Sequence, residues 1–206
     1  MPFVLHVDSL YTSPWAMSAF VALTEKGLPF TIATVDLAAR QQYHSNFASA
    51  VTGRVPALAH DGFTLTESTA IMEYLEECFP APEYTALYPL DRRQRAQARQ
   101  IQAWIRSDLQ AVRMERDTET LFLGKASAPL TPEGHAAAAK LIHVADQLVR
   151  GPNLFGAWSI ADVDLAIMLM RLIVNGDRVP QNLRDYATGQ WQRPPVQQWL
   201  ARHRPA

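Results

Sequence analysis

The most informative stretch of the sequence is residues 54–75, which read RVPALAHDGFTLTESTAIMEYL. Two short apolar runs, 57–60 and 63–66, flank Asp61-Gly62. An Asp-Gly pair between apolar runs is a strong signal for a β-hairpin, because both residues of the tight turn need a positive φ. A helix with apolar residues at helical spacing follows over about 67–79. The stretch therefore predicts two antiparallel strands and then a helix.

The residues before this stretch predict a strand, a helix and a second strand. Residues 3–7 form a short apolar strand candidate. Ser13-Pro14 then starts a helix, because serine suits the N-cap and proline, which has no N–H, suits the first helical position. The helix ends near Gly27, and residues 30–35 are a second strand rich in β-branched residues. With an irregular or weakly helical segment over 37–50, the order β-α-β and then β-β-α describes a thioredoxin-like sheet.

Everything after residue 90 predicts helices. One long helix is expected from Asp91 to about Glu119, and another from Thr131 to about Val149. Residues 159–162, Ser-Ile-Ala-Asp, form an N-terminal capping box. The helix behind this box is apolar nearly all round, so it should lie in a core. Shorter helices are expected near 182–190 and 195–203.

The charge distribution favours two units. Residues 1–84 hold three basic and nine acidic side chains, a net charge of −6, whereas residues 85–206 hold sixteen basic and eleven acidic ones, a net charge of +5. Residues 80–84, Pro-Ala-Pro-Glu-Tyr, are a linker candidate. We therefore predict an α+β N-terminal thioredoxin-like domain, residues 1–82, followed by an all-α helical-bundle domain, residues 90–206.

The composition excludes several classes of protein. With 48% hydrophobic residues among 206, the chain can build an ordinary core, and its net charge of −1 gives no general attraction to nucleic acid or anionic lipid. The single cysteine, Cys78, cannot form an intrachain disulfide or a Cys-rich zinc site, which favours a reducing, cytoplasmic location. We expect no signal peptide and no membrane span, because no apolar run approaches ~18 residues.

Three local features could take part in catalysis or ligand binding. The Ser13 hydroxyl lies beside the free N–H groups of a helix start, where it could stabilise an anion such as a thiolate, or simply cap the helix. Val55-Pro56 precedes a strand; a trans bond is the commoner form, but a cis bond would let Val55 pair with an extended peptide. Glu67 and Ser68, at the next helix start, could bind the ammonium and carboxylate of an amino acid, or could serve as a cap alone.

These features occur in the same order in the glutathione transferase family, which the sequence resembles over essentially its whole length. The strand–Ser-Pro–helix opening resembles the catalytic loop of that family, and residues 54–58 resemble its cis-proline segment. Residues 65–75 resemble the start of its γ-glutamyl-binding helix, and residues 158–164 its capping-box signature.

The resemblance implies a glutathione-binding enzyme with roles for particular residues. Ser13 would be catalytic and donate its O–H to the glutathione sulfur, although the residues alone leave Tyr11 and Thr12 as alternative donors. The remaining implied glutathione contacts are Val55 pairing with the cysteinyl backbone beside a cis Pro56, Glu67 and Ser68 at the γ-glutamyl group, and Arg54 and Gln42 toward the glycyl carboxylate.

The thiolate would attack a small electrophile, a peroxide or a disulfide. The resemblance places this second substrate between the two domains, near Tyr11, Trp15, Arg113 and Phe122, and implies a homodimer in which Asp108 or Arg113 borders the site. Arg106 or Arg113 could also draw in anionic glutathione, although a solvated arginine face with salt bridges is the simpler interpretation.

Other functions are less well supported by the sequence. The six histidines lack a metal-ligand spacing, so no metal is predicted. Cys78 is interpreted as a buried structural residue, because cysteines are commonly buried. Nucleic-acid binding through the arginine-rich helix is disfavoured by the near-zero net charge. The main alternative is a non-catalytic scaffold or binding protein that has the same fold.

Overall fold

The computed structural model describes residues 3–44 and 52–202. The chain divides into two compact units, of which the second spans Tyr88–Gln197 and the first takes the residues before and after it. The described elements of the first unit are β1 (Phe3–Asp8), α1 (Pro14–Glu25), β2 (Phe30–Val35), a 3-10 turn (Gln41–Tyr43), β3 (Ala57–His60), β4 (Phe63–Thr66) and α2 (Ser68–Cys78). Their order confirms the predicted thioredoxin-like arrangement.

The four strands form one mixed sheet in the order β2-β1-β3-β4. Strand β1 pairs in parallel with β2, where Leu5 lies opposite Ile32, and antiparallel with β3, where Leu5 lies opposite Leu58. The β3–β4 hairpin turns at Asp61 and Gly62, whose φ angles are 48° and 82°. The predicted hairpin is therefore confirmed, and both turn residues have the positive φ that the Asp-Gly pair favours.

The core of the first unit lies between the sheet and its helices. Leu5 and Val7 of β1 are fully buried, as are Leu23 of α1 and Ile71 and Leu75 of α2. Burying each of these side chains stabilises the fold by roughly 1.5–3 kcal/mol, and the two helices also contact each other. This packing fixes the ends of β1 and β4, where the candidate site residues lie.

A buried ion pair ties the ends of both helices to the segment that follows α2. Lys26 Nζ lies 2.8 Å from Glu76 Oε2 and donates to the carbonyl oxygens of Phe79 and Thr85. Glu76 also accepts the backbone N–H of Leu87. Because the charges of Lys26 and Glu76 are compensated and hydrogen-bonded, both side chains can be buried.

The first unit also includes the chain from Gln198 onward, whereas the sequence predicts that all of residues 90–206 belong to the helical domain. Trp199 is fully buried there, with its ring centroid 5.5 Å from that of Phe20 and 5.4 Å from that of Tyr11. The C-terminal segment therefore packs against α1 and the loop that follows β1.

The second unit is helical. Its elements are α3 (Arg92–Ser107), α4 (Gln110–Glu115), α5 (Thr118–Leu123), α6 (Pro132–Leu148), α7 (Ile160–Ile173), α8 (Gln181–Trp191) and most of α9 (Pro194–Leu200). Every residue of α7 from Ile160 to Leu172 is buried, and α3, α6 and α8 pack around it. The predicted capping box is present, since Ser159 and Asp162 exchange hydrogen bonds across the first turn.

The single long helix predicted for 91–119 is wrong, because the chain breaks twice. Helix α3 ends at Ser107, Leu109 has a φ of 59°, and Asp117 caps a new helix by accepting the N–H of Thr120. At the first break, one guanidinium nitrogen of Arg113 donates to three carbonyl oxygens, those of Ile105, Arg106 and Asp108. These hydrogen bonds satisfy carbonyl groups that the end of α3 leaves without a helical partner, although the apolar spacing of the sequence continues past that point.

None of the helices in residues 3–44 and 52–202 is long and apolar enough to cross a bilayer.

Candidate functional site

The predicted site residues of the first unit meet at one edge of the sheet. Because β3 is antiparallel to β1, with His6 opposite Ala57, the start of β3 lies beside the end of β1. Because β4 is antiparallel to β3, with Ala57 opposite Thr66, the end of β4 reaches the same edge. The topology therefore brings together the loop that holds Ser13, the Val55-Pro56 segment and the start of α2.

The loop after β1 is organised by a buried carboxylate. Asp8 is 4% exposed, and its Oδ2 accepts the backbone N–H of Thr12 at 2.6 Å and the Thr12 hydroxyl at 2.9 Å. Its Oδ1 accepts the backbone N–H of Ser13 at 2.9 Å. Asp8 is not among the residues predicted from the sequence. An aspartate at a strand end suits side-chain capping of a turn, but that pattern is too common to identify this residue, whose role depends on how the loop folds.

Ser13 is the N-cap of α1, as predicted. Its Oγ accepts the N–H of Ala16 at 3.2 Å, and Pro14 occupies the first helical position. Accepting that bond does not use the hydroxyl hydrogen, so Ser13 can still donate its O–H to an anion. A sulfur atom at this point would also lie near the positive end of the α1 dipole.

The three neighbouring hydroxyls have different surroundings. The Thr12 hydroxyl donates to Asp8, which occupies its only hydrogen. Tyr11 has a φ of 58°, and its ring packs against Trp199 and lines a cavity of about 660 Å³ in the first unit. This geometry favours Ser13 over Thr12 and Tyr11 as a donor to a thiol.

The Val55-Pro56 peptide bond is cis, as the family resemblance implies. Pro56 is buried, and half-buried Val55 packs against Val35 and Ala57. The pairing of β3 with both of its neighbours begins at Ala57, so the sheet ladder does not include Val55. Its backbone is therefore placed to pair with another extended segment.

Helix α2 starts at a strained residue. Glu67 has φ 66° and ψ 112°, and its exposed side chain forms no cap hydrogen bond. Ser68, the first residue of the helix, is only 4% exposed. A non-glycine residue at positive φ costs on the order of 1–3 kcal/mol and is often found where a ligand binds. The N–H groups of this first turn can donate to a carboxylate without competition from the side chain of Glu67.

Gln42 and Arg54 flank the same edge. Strand β2 runs parallel to β1 and delivers the chain to the Gln41–Tyr43 turn, where Gln42 Oε1 is buried and has no hydrogen-bond partner among the described residues. Gly53 has a φ of 59°, and a Cβ on it would lie 2.8 Å from Cε1 of Tyr43. This close approach holds the turn beside Arg54, whose side chain is exposed.

The other predicted residues lie as follows. Trp15 is half-buried in the first turn of α1. In the second unit, Arg106 pairs with Asp164 at 2.9 Å, while Arg113 closes the end of α3, where burial lowers its pKa. Phe122 stacks on Trp191 at a centroid distance of 6.1 Å.

Cys78 is exposed, so its interpretation as a buried residue is wrong. It is the last residue of α2 and lies only about 20° around the helix axis from buried Ile71, by the 3.6-residue repeat, so its face of the helix does not account for its exposure. Within the described part of the chain, no group of three or more acidic, histidine or cysteine side chains could hold a metal ion.

The chain belongs to the glutathione S-transferase family. The family description "Glutathione S-transferase, N-terminal domain" matches residues 12–78, and "Glutathione S-transferase, C-terminal domain" matches residues 91–204. Both matches agree with the fold and with the site edge described above.

Individual relatives support the same family. The chain is 30% identical to glutathione S-transferase theta-1 of Homo sapiens over 201 residues, which cover 89% of this chain and 79% of the relative. It is 33% identical to mouse theta-3 over 121 residues and 40% identical to protein LigF of Sphingobium sp. over 92 residues. These two matches cover 56% and 44% of this chain, and span only 48% and 35% of the relatives.

A solved structure extends the comparison to the whole chain. A glutathione transferase homologue from Burkholderia gl BGR1, crystallised with bound glutathione, is 47% identical and covers 100% of both chains with a TM-score of 0.84.

Proposed function

We propose that this protein is a glutathione transferase, which binds glutathione along the open edge of the N-terminal sheet and activates its thiol for attack on a small electrophile. The observation that carries the proposal is the convergence at that edge of the Ser13 hydroxyl, the Val55 backbone, which the described strand pairing does not include, and the N-terminus of α2. The glutathione bound to the Burkholderia homologue supports the same choice of co-substrate.

Each part of glutathione has a matching group. Ser13 donates its O–H to the sulfur, and Val55, beside cis Pro56, pairs with the cysteinyl backbone. Glu67 binds the γ-glutamyl ammonium, while Ser68 and the first N–H groups of α2 bind the γ-glutamyl carboxylate. The glycyl carboxylate is assigned to the Gln42 and Arg54 side of the edge.

The energies are sufficient for thiol activation at neutral pH. A free thiol has a pKa near 8.5, and lowering it by about two units needs roughly 2.7 kcal/mol of differential stabilisation. A hydrogen bond to a charged sulfur supplies ~1.5–3 kcal/mol, and a helix N-terminus adds ~0.3–1 kcal/mol. Ser13 at the start of α1 offers both contributions at one point.

The same thiolate can attack a peroxide or a disulfide, so we include glutathione-dependent peroxidase and disulfide-reductase activity. Within the first unit, the binding of the electrophile is assigned to the surroundings of Tyr11 and Trp15. We further propose a cytoplasmic homodimer that needs no metal and serves in detoxification and oxidative stress. Within the family, the stretches 99–104 and 186–188 resemble the bacterial glutathione S-transferase YfcF.

Glutathione binding and turnover test the proposal together. Millimolar glutathione should raise the melting temperature, and an aryl halide or an organic peroxide should be consumed at the expense of the thiol. S-Methylglutathione is the matched control, since it keeps every binding group but has no thiol to ionise, and it should stabilise without turnover. Absence of any thermal shift would instead support a scaffold that has lost glutathione binding.

A further inference from the structure

Asp8 occupies an unusual position for a carboxylate. It ends the central strand β1, is 4% exposed, and lies five residues before Ser13. Its two oxygens accept three hydrogen bonds, and all three donors belong to Thr12 or Ser13. A buried carboxylate requires such compensation, so the loop and Asp8 fix each other.

The three hydrogen bonds determine which hydroxyl can face a ligand. Oδ2 receives both the N–H and the O–H of Thr12, so the Thr12 side chain is turned toward Asp8. Oδ1 receives the N–H of Ser13 and fixes the backbone from which the Ser13 hydroxyl projects. Ser13 Oγ then accepts the N–H of Ala16 and keeps its own hydrogen for another acceptor.

We propose that Asp8 is the positioning residue of the thiol-activating loop: its carboxylate holds Thr12 away from the sulfur and orients Ser13 toward it. The inference rests on the proposed function, because it assumes that a glutathione thiolate is formed at this loop. Asp8 acts through Ser13 and does not itself contact the sulfur, which is favourable because a second negative charge beside the thiolate would oppose its formation.

Asp8→Asn is the direct test, because the side chain keeps its size. Its single amide oxygen can replace only one of the two carboxylate oxygens, so the amide nitrogen must face the N–H of either Thr12 or Ser13. With Ser13 misplaced, we expect kcat to fall by about 10–100-fold, while KM for glutathione stays within about threefold since the other glutathione contacts are intact.

The ultraviolet absorbance of the thiolate of bound glutathione, measured at fixed pH per folded site, gives a readout that a purely structural role would not change. It should fall in Asp8→Asn. Asp91→Asn is the matched control, because Asp91 also accepts two backbone N–H groups, those of Arg93 and Gln94, at the start of α3. That variant should keep the wild-type thiolate signal and kcat.

Thr12→Val is the second variant, and it keeps the proposal open to contradiction if Asp8→Asn does not fold. It removes only the hydroxyl bond to Asp8, so the thiolate signal should persist and kcat should fall less than about threefold. A loss of the signal in Thr12→Val, or its retention in folded Asp8→Asn, overturns the assignment of Asp8. Wild-type protein that binds glutathione without ionising it, or does not bind it, overturns the proposed function as well, so the two failures are distinguishable.

Discussion

At the scale of single residues, Ser13 combines two tasks that are separable by experiment. As the N-cap of α1 it accepts the N–H of Ala16, and as the proposed catalytic group it donates its O–H to sulfur. Accepting and donating use different atoms of one hydroxyl, so a cap residue can serve in catalysis without losing its structural role.

We expect Ser13→Ala to lower turnover at least about tenfold, because a hydrogen bond to a charged sulfur, ~1.5–3 kcal/mol, is lost. The lost cap should also cost about 1 kcal/mol of stability. Thr131→Ala is the control, since Thr131 caps α6 in the second unit by accepting the N–H of Gly134. Urea unfolding should show that both variants are destabilised, Thr131→Ala somewhat more because the Thr131 hydroxyl also donates to Glu115. Steady-state kinetics should show reduced turnover in Ser13→Ala alone. Full activity in Ser13→Ala would place the donor elsewhere.

The residues of the site differ in how visible they are in the sequence. Ser13, Pro56 and Ser68 belong to short local patterns, a Ser-Pro helix start, a proline before a strand and a helix start after a hairpin, so they could be named in advance. Asp8 could not, because its role depends on a loop that folds back onto its own strand end. Gly53 could not either, because its positive φ and its contact with Tyr43 are set by a turn outside any repeating pattern.

At the scale of elements, the site edge depends on how the Gln41–Tyr43 turn is held against the start of β3. Gly53 provides this contact: its φ is 59°, and its missing Cβ leaves room for the ring of Tyr43. The ring is itself exposed, so it can shift, and the main cost of a side chain at Gly53 lies in the backbone conformation.

Gly53→Ala should therefore lose about 1–2 kcal/mol of stability and weaken glutathione binding at least about threefold, because the turn carrying Gln42 moves. Gly62→Ala is a matched control: Gly62 also has a positive φ, 82°, but lies at the tip of the β3–β4 hairpin with open space around its Cβ position. Calorimetric titration should show weaker glutathione binding in Gly53→Ala alone, although both variants should have a lower melting temperature than wild type. Equal affinities would show that the turn does not contribute to the site.

Sequence patterns located the four described strands of the first unit but not the breaks after α3. The apolar spacing of 91–119 reports only which face is buried, and it continues through both breaks. The helix ends are determined by polar contacts with residues elsewhere, such as Lys140 of α6, which pairs with Asp108 at the end of α3. Such contacts depend on how the helices pack, so no local pattern could reveal them.

The Asp108–Lys140 pair gives the second unit a pH dependence. The Lys140 ammonium, with the N–H of Leu109, lowers the pKa of Asp108 from 3.8 to about 2. A carboxyl with a depressed pKa in the folded state stabilises the fold above its unfolded value, and this contribution is lost as the pH falls from about 4 toward 2. Urea midpoints of wild type and Asp108→Asn should therefore differ at pH 6 and converge near pH 2.

Lys140→Met is the control for that series, since it removes the largest cause of the pKa shift while leaving Asp108 in place. Lys140→Met should remove most of the fall in the urea midpoint that this pair causes between about pH 4 and pH 2. The double variant should lose little stability beyond either single change. A constant difference between wild type and Asp108→Asn across pH 2–6 would show that the pair does not control the slope.

At the scale of the whole molecule, the proposed homodimer must cover surface that one chain leaves open. Strand β4 is the outermost strand on one side of the sheet, which is a different border from the strand ends that form the candidate site. Its residues, Phe63–Thr66, include no charge and no proline. Natural proteins usually protect such an edge with charges, prolines or a covering element. Phe63 is also 49% exposed, with its ring 5.4 Å from that of Tyr74. We therefore assign the uncharged outer strand β4 to the contact between the two chains of the homodimer.

Light scattering after gel filtration should give wild-type protein twice the 23.0 kDa mass of one chain. Phe63→Lys should shift it to a single chain at micromolar concentration, because a lysine at the edge removes the apolar contact and must be desolvated to re-form it. Val174→Lys is the matched control, since Val174 is 45% exposed and caps the C-terminal end of α7, where a cation is favourable. A dimer that survives Phe63→Lys but not Val174→Lys would move the contact from the β4 edge to the helical unit, and a monomeric wild type would remove the dimer from the proposal altogether.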